Sequence, residues 1–207
     1  MEEFNKIEST AQLVEAIYET EEQLSKEVKD RTVLIDSLYY QSVRSNYYRL
    51  FNLNSESEGR LLDAGCGIGI EISNFQNLAP KMQFFGVDIS STKLEGAVRG
   101  LYPRKGPATF ARSAIEFLPF PDEFFDAVSM HEVAEHLARP EAALRELFRV
   151  LKPGGMLVVA TPNGGSWYPG HLYQRIKRMF GMRGESIGYD DDKPISFWIT
   201  QFKSAGF

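Results

Sequence analysis

One cysteine in 207 residues, Cys66, excludes an internal disulfide and any cysteine-cluster zinc site. Histidine is scarce too: His131, His136 and His171 are the whole supply, so few imidazoles can serve as a base. No apolar run comes near the ~20 residues that span a bilayer. The amino-terminal MEEFNKIEST is acidic where a secretory leader is basic and then apolar. These absences predict a cytoplasmic chain without a transmembrane segment, leaving only peripheral membrane contact open. Positive charge is also short, with 23 Lys and Arg against 28 Asp and Glu for a net charge of −5. That balance weighs against DNA, and against RNA, as the main partner, because phosphate binding needs a basic surface. What is present is apolar: 43% of the chain, enough at this length for one sizeable core.

The pattern along the chain is one of alternation. LLDAGCGIG, from Leu61 to Gly69, reads as a short buried strand ending in an acid, then three alternate glycines before a helix of about Ile68 to Leu78. QFFGVD ends a second strand at Asp88, and Ser90 or Ser91 opens the next helix as an N-cap. A third strand is expected at about Ala108 to Arg112, and the connector AIEFLPFPDE leads into the strand FFDAVSM. Pro140 starts a helix through Leu144, Leu147, Val150 and Leu151, and KPGG turns the chain into the strand MLVVAT. Apolar strands alternating with helices predict an α/β fold: a Rossmann-like, doubly wound, mostly parallel sheet with helices on both faces. Residues 1–58 are expected to form an N-terminal helical cap, and 59–207 the ligand-binding domain with a cap insertion at about 164–194. Within the cap, Tyr39, Tyr40, Tyr47 and Tyr48 are interleaved with Arg44 and Arg49. These are read chiefly as packing, with the alternative that they fold over the glycine turn and offer it a hydroxyl or guanidinium.

In such a sheet, ligands sit at the carboxyl ends of the strands near the point where strand order reverses. Gly65, Gly67 and Gly69 remove the β-carbons that would hold a ligand off the backbone, and the following helix presents free N–H groups. Asp88 lies 23 positions beyond Gly65, near the spacing of about 20 at which an acid accepts from a ribose diol. That spacing points to a nucleoside-containing cofactor. A dinucleotide fingerprint needs G-x-G-x-x-G, but position 70 is Ile70, and Asp63 precedes the glycines. A carboxylate there repels a diphosphate and suits a ligand carrying an amine or sulfonium. The residues favour adenosine plus a cation over NAD without excluding the latter.

LLDAGCGIG, GVDIS, LPFPDEFFDAV, EVAEHL and RVLKPGGMLVVATPN, in this order, resemble class I S-adenosylmethionine-dependent methyltransferases, in particular the ubiquinone and menaquinone biosynthesis group. The resemblance runs from Leu61 to Asn163 and resumes at the terminal SAGF. It implies S-adenosyl-L-methionine as cofactor, with Asp63 and the turn from Gly65 through Cys66 and Gly67 to Gly69 holding its methionine part. Asp88 would then hold the ribose and Ile89 the adenine face, with Ala114, Ile115 and Met130 completing the shell. Two departures from the family pattern stand out. Ala114 falls where an acid often accepts from the adenine amino group, so Ser113 or the backbone of Ala114 and Ile115 must serve. The strand pair that usually follows the AGF is absent from this sequence, which leaves an open sheet edge with two readings, a shortened chain or a homo-oligomer whose second copy completes the sheet.

The acceptor side is read from fewer residues. Methyl transfer needs positioning and exclusion of water first, and a base only for hydroxyl or acidic carbon acceptors. His131, directly after FFDAVSM, is the candidate base. Glu132, Glu135 and His136 share one face if the turn is helical, a spacing that suits a divalent cation; the expectation is nevertheless that no metal is used. Leu172 to Phe180 reads as a short basic amphipathic helix, and Trp167 and Tyr168 as candidate pocket walls. The expected function is methyl transfer to a small-molecule acceptor, a quinone precursor or lipid-like molecule. An NAD(P)-dependent oxidoreductase and a non-catalytic cofactor-binding protein are the alternatives.

Overall fold

The computed structural model describes residues 46–161 and 193–207. Much of the cap, including Tyr39, Tyr40 and Arg44, and the insertion with Trp167, Tyr168, His171 and the basic helix lie outside the described residues. In chain order the elements are β1 (Arg60–Ala64), α1 (Ile70–Leu78), β2 (Gln83–Asp88), α2 (Ser91–Arg99), β3 (Ala108–Arg112), β4 (Phe125–His131), α3 (Pro140–Val150), β5 (Leu151–Ala160) and α4 (Ile195–Ala205). Residues 46–50 are helical.

Five parallel strands form the sheet of the described residues, in the order β3-β2-β1-β4-β5. Strand order reverses between β1 and β4, which places the topological switch point beside Asp63 and Ser129. Side chains alternate between the two faces of each strand. Leu62, Ala64, Val87, Val128 and Met130 point into one core, closed by Leu144, Leu147 and Val150 of α3 and Trp198 of α4. Leu61, Phe84, Ala127 and Val158 point into the other, closed by Ile72 and Phe75 of α1, Leu94 of α2, and Tyr47 and Phe51. Each fully buried Leu, Ile, Val, Phe or Met side chain among these contributes roughly 1.5–3 kcal/mol.

The predicted strand ends and caps are where the sequence places them. β2 finishes at Asp88, and the Ser90 hydroxyl caps α2 by accepting from the Lys93 N–H at 3.2 Å. Pro140 opens α3. KPGG differs from expectation: the strand runs through it, and the chain bulges there instead of turning. The β4 partner of Leu151 is Phe125 and that of Met156 is Ala127, so four intervening residues of β5 face one of β4, with Gly154 at φ 75°.

Candidate active site: an acid buried beneath a glycine turn

The turn after β1 is shaped by its neighbour strand. The N–H groups of Gly65 and Cys66 both donate to the Val87 carbonyl, at 2.8 and 2.9 Å, and the Gly67 N–H donates to Asp88 Oδ2 at 2.8 Å. The other Asp88 oxygen accepts from the Ser90 N–H at 2.9 Å, so one carboxylate ties the glycine turn to the start of α2. Gly65 sits at φ 83°, and a β-carbon there would lie 2.4 Å from Val133 Cγ2. Only glycine satisfies both constraints. Around Gly67, by contrast, the space is open, so a ligand can approach the backbone.

Asp63 occupies the end of β1 with 1% of its surface exposed. Its Oδ1 lies 2.9 Å from the Ser129 hydroxyl oxygen, within hydrogen-bond distance across the register pair Asp63–Ser129. Its Oδ2 is buried and has no hydrogen-bond partner. Burial first, then the nearby Glu71 carboxylate, push the Asp63 carboxyl up to about 8, against the pull of the Ser129 hydrogen bond. A buried acid with an unpartnered oxygen calls for a cation or a proton. That fits the amine-bearing end of the expected cofactor.

Two tyrosines bond the polar groups around this acid. The Tyr47 hydroxyl lies 2.8 Å from Ser129 Oγ and 3.2 Å from the Val158 carbonyl. The Tyr48 hydroxyl donates to the buried Glu71 and accepts from Asn74 Nδ2 at 2.7 Å. The hydroxyls expected from the cap therefore reach the site's polar groups. His131, at the end of β4, packs edge-on against Tyr47 with ring centroids 4.9 Å apart, and its Nε2 is buried without a partner. Cys66 is buried beside the turn, where burial and the Asp63 and Asp88 charges push its thiol up and keep it unreactive.

Other expected site residues lie at the strand ends but turn elsewhere. The Met130 and Ile115 side chains belong to the opposite core, which leaves the backbone as their offering. Ala114 stands where a turn of three-ten helix begins, and the Ser113 hydroxyl donates back into that turn, to the Phe117 carbonyl at 2.6 Å, which leaves only its oxygen lone pairs for an outside group. Ile89 is half-buried, and its carbonyl accepts from Arg112 Nε at 2.9 Å. Glu132, Glu135 and His136 are not on one helical turn: Glu132 lies outside the helix at φ 53°, and only Ala134–His136 form a three-ten turn. Glu135 instead accepts from the Thr161 hydroxyl at 3.0 Å, and the described residues contain no cluster of three metal-ligating side chains. Ser129 is the site residue that motif reasoning passes over. Its signal is the period of two, Ala127, Ser129, His131, which puts a hydroxyl on the face of Asp63.

The fold is of the doubly wound α/β class, with the buried acid and the glycine turn at its switch point. Residues 62–159 match the family of methyltransferase domains. Over 101 residues, 49% of this chain, the sequence is 37% identical to the ubiquinone/menaquinone biosynthesis C-methyltransferase UbiE of Syntrophotalea carbinolica, of which it covers 43%. Over 180 residues, 82% of this chain, it is 29% identical to the sterol 24-C-methyltransferase erg6 of Aspergillus fumigatus, of which it covers 45%. The chain thus spans less than half the length of either relative. Among solved structures, phosphoethanolamine N-methyltransferase 2 of Haemonchus contortus, in complex with phosphomonomethylethanolamine and S-adenosylhomocysteine, shares the fold at TM-score 0.63 and 20% identity, over 80% of this chain and 37% of its own. No helix among the described residues is long and apolar enough to cross a membrane.

Proposed function

We propose that this chain binds S-adenosyl-L-methionine and transfers its methyl group to a small-molecule acceptor of the quinone-precursor or lipid-like kind. The observation that carries the reading is Asp63: a fully buried acid with a free oxygen, directly beneath a glycine turn that Asp88 holds open. The bound cofactor supplies an electrophilic methyl on a sulfonium. Asp63 holds the cationic amine, while Gly65, Cys66, Gly67 and Gly69 give the turn the shape that lets the ligand lie against backbone. Asp88 accepts from the ribose hydroxyls with the lone pairs its two backbone donors leave free. Ile89 packs on the adenine face, and the backbone at Ala114, Ile115 and Met130 completes the shell.

For an acceptor that must lose a proton, His131 is the base. It stands at the end of β4 on the face of Asp63, with a buried ring nitrogen that no protein group occupies. The names of the relatives, a quinone and a sterol methyltransferase, support a flat or lipid-like apolar acceptor. Residues of the cap and of the insertion at 164–194 are the remaining candidates for the pocket that receives it.

Calorimetry with S-adenosylhomocysteine and with NAD tests the cofactor. We expect micromolar binding of the former and none of the latter; binding of NAD alone would overturn the reading. A methyl-incorporation screen over quinone precursors, sterols and amines then identifies the acceptor, and His131→Ala should lower turnover about 10²-fold or more on an acceptor that loses a proton. Full turnover in that variant removes the base assignment.

A further inference from the structure

Three hydrogen bonds run in a line across the site face of the sheet. Tyr47 Oη lies 3.2 Å from the Val158 carbonyl oxygen and 2.8 Å from Ser129 Oγ, which in turn lies 2.9 Å from Asp63 Oδ1. Three bonds need three hydrogens, and two hydroxyls carry only two. The Val158 carbonyl has none to give. All three bonds are made at once only when the Asp63 carboxyl supplies the third hydrogen.

With Asp63 protonated, the line runs one way: Asp63 donates to Ser129, Ser129 to Tyr47, and Tyr47 to the Val158 carbonyl. With Asp63 ionised it runs the other way: Tyr47 donates to Ser129 and Ser129 to Asp63, and the bond to Val158 is given up. The surroundings favour the first arrangement when no ligand is bound. Glu71 of α1 and Asp88 of β2 act on Asp63 as like charges, the Cys66 thiol beside the turn is neutral, and no lysine or arginine among the described residues offsets them. Across Tyr47 stand Tyr48, which donates to Glu71, and the half-buried His131. Burial and these acids hold the Asp63 carboxyl near 8.

We propose that Tyr47 and Ser129 are positioning residues that keep a proton on Asp63 in the ligand-free protein and reverse their hydrogen bonds to release it when a cationic ligand group reaches Asp63 Oδ2. This rests on the cofactor reading above. The balance is simple: one proton leaves the carboxyl for solvent, one positive charge arrives beside the carboxylate, and no covalent bond to carbon changes. The two hydroxyls pull in opposite directions. Tyr47 takes part in two bonds of the protonated line and one of the ionised line, so it favours the proton. Ser129 donates a charge-assisted bond only to the ionised form, so it favours release.

Two measurements on the full chain test this. In ligand-free protein, carbon-13 NMR of the carboxyl absent from Asp63→Asn should titrate near pH 8, lower by about half a unit or more in Tyr47→Phe and higher by a similar amount in Ser129→Ala. A purely structural Tyr47 would change stability or affinity and leave that midpoint where it is. In calorimetry at pH 7, with buffers of different ionisation enthalpy, S-adenosylhomocysteine should release close to one proton per binding event, and its Kd should tighten roughly tenfold per pH unit from 6 to 7.5. An Asp63 midpoint below pH 6, a midpoint unmoved in both variants, or binding without proton release overturns the proposal. Absence of S-adenosylhomocysteine binding at every pH defeats the cofactor reading and the release step with it, while the NMR titration still decides whether the proton is there.

Discussion

Gly65 carries two constraints that a side chain cannot meet together. Its φ of 83° is strained for any L side chain, and the missing β-carbon would overlap Val133 Cγ2. Gly65→Ala should therefore cost about 1–3 kcal/mol in urea unfolding and weaken cofactor binding, because the turn must move. Adding Val133→Ala should recover the part that is overlap and leave the part that is φ. Gly86 on β2 is a different case, since its backbone is ordinary. A β-carbon there would meet Cys66 Sγ, Phe110 Cδ1 and Ile72 Cδ1 at 2.8–2.9 Å, so the restriction is packing alone. The motif makes the first glycine conspicuous and leaves the second silent, although both decide how closely α1 and its turn approach the sheet.

At the scale of elements, the connector between β3 and β4 is held by one residue of α3. Arg149 donates to the Leu118 and Phe120 carbonyls at 3.1 and 2.9 Å, to Glu146 at 2.7 and 2.8 Å, and to Asp122 at 2.7 Å. Glu146 also accepts from the Leu118 N–H at 3.0 Å. The Arg149 hydrogen bonds hold the Glu146 carboxyl below the usual carboxylate range. A lowered carboxyl pKa contributes stability that is full above the unfolded value of about 4.3 and is lost as pH falls through the folded one. Arg149→Met should cost about 1–3 kcal/mol and make the protein unfold at a higher pH on acid titration, read by circular dichroism. An acid midpoint equal to that of the parent would show the strap to be idle.

This is also where the reach of the sequence can be judged. Strand ends at Asp63, Asp88 and His131 are legible because a parallel sheet needs apolar runs and stops them at polar residues, and Pro140 and Ser90 mark helix starts by fixed chemistry. The Arg149 strap is not legible. Glu146 and Arg149 look like an ordinary i, i+3 surface pair, and only the path of the 118–122 connector turns them inward. The EVAEHL segment misleads for a related reason: residue identity alone suggests a helical spacing, while the positive φ of Glu132 is set by the way β4 ends. The KPGG bulge likewise depends on pairing with β4, which no local turn signal records.

For the molecule as a whole, the site acid works against the fold. Asp63 is held near 8 when folded and titrates near the ordinary 3.9 when unfolded, so between those values the folded state binds the extra proton. Stability from this group therefore falls as pH rises from about 4 to 8 and is level above that. Asp63→Asn keeps the shape without the charge. Ligand-free Asp63→Asn should melt higher than the parent at pH 8, with the gap closing toward pH 4, at about 2–4 °C for each kcal/mol regained. The same variant should bind S-adenosylhomocysteine at least tenfold more weakly. A parent that melts as high as the variant at pH 8 would contradict the burial of an unpaired charge.

Asp88, proposed above to hold the ribose, is also part of the scaffold. Its carboxylate receives the Gly67 and Ser90 N–H groups within β2's own neighbourhood, so the turn is ordered as the sheet forms and needs no ligand to shape it. Association should then be fast and free of a slow rearrangement phase in stopped-flow traces, since the conformational entropy of the turn has already been surrendered during folding. Truncating Asp88 unfastens the turn as well as removing the proposed ribose contact, so the loss in affinity should exceed that of a single hydrogen bond.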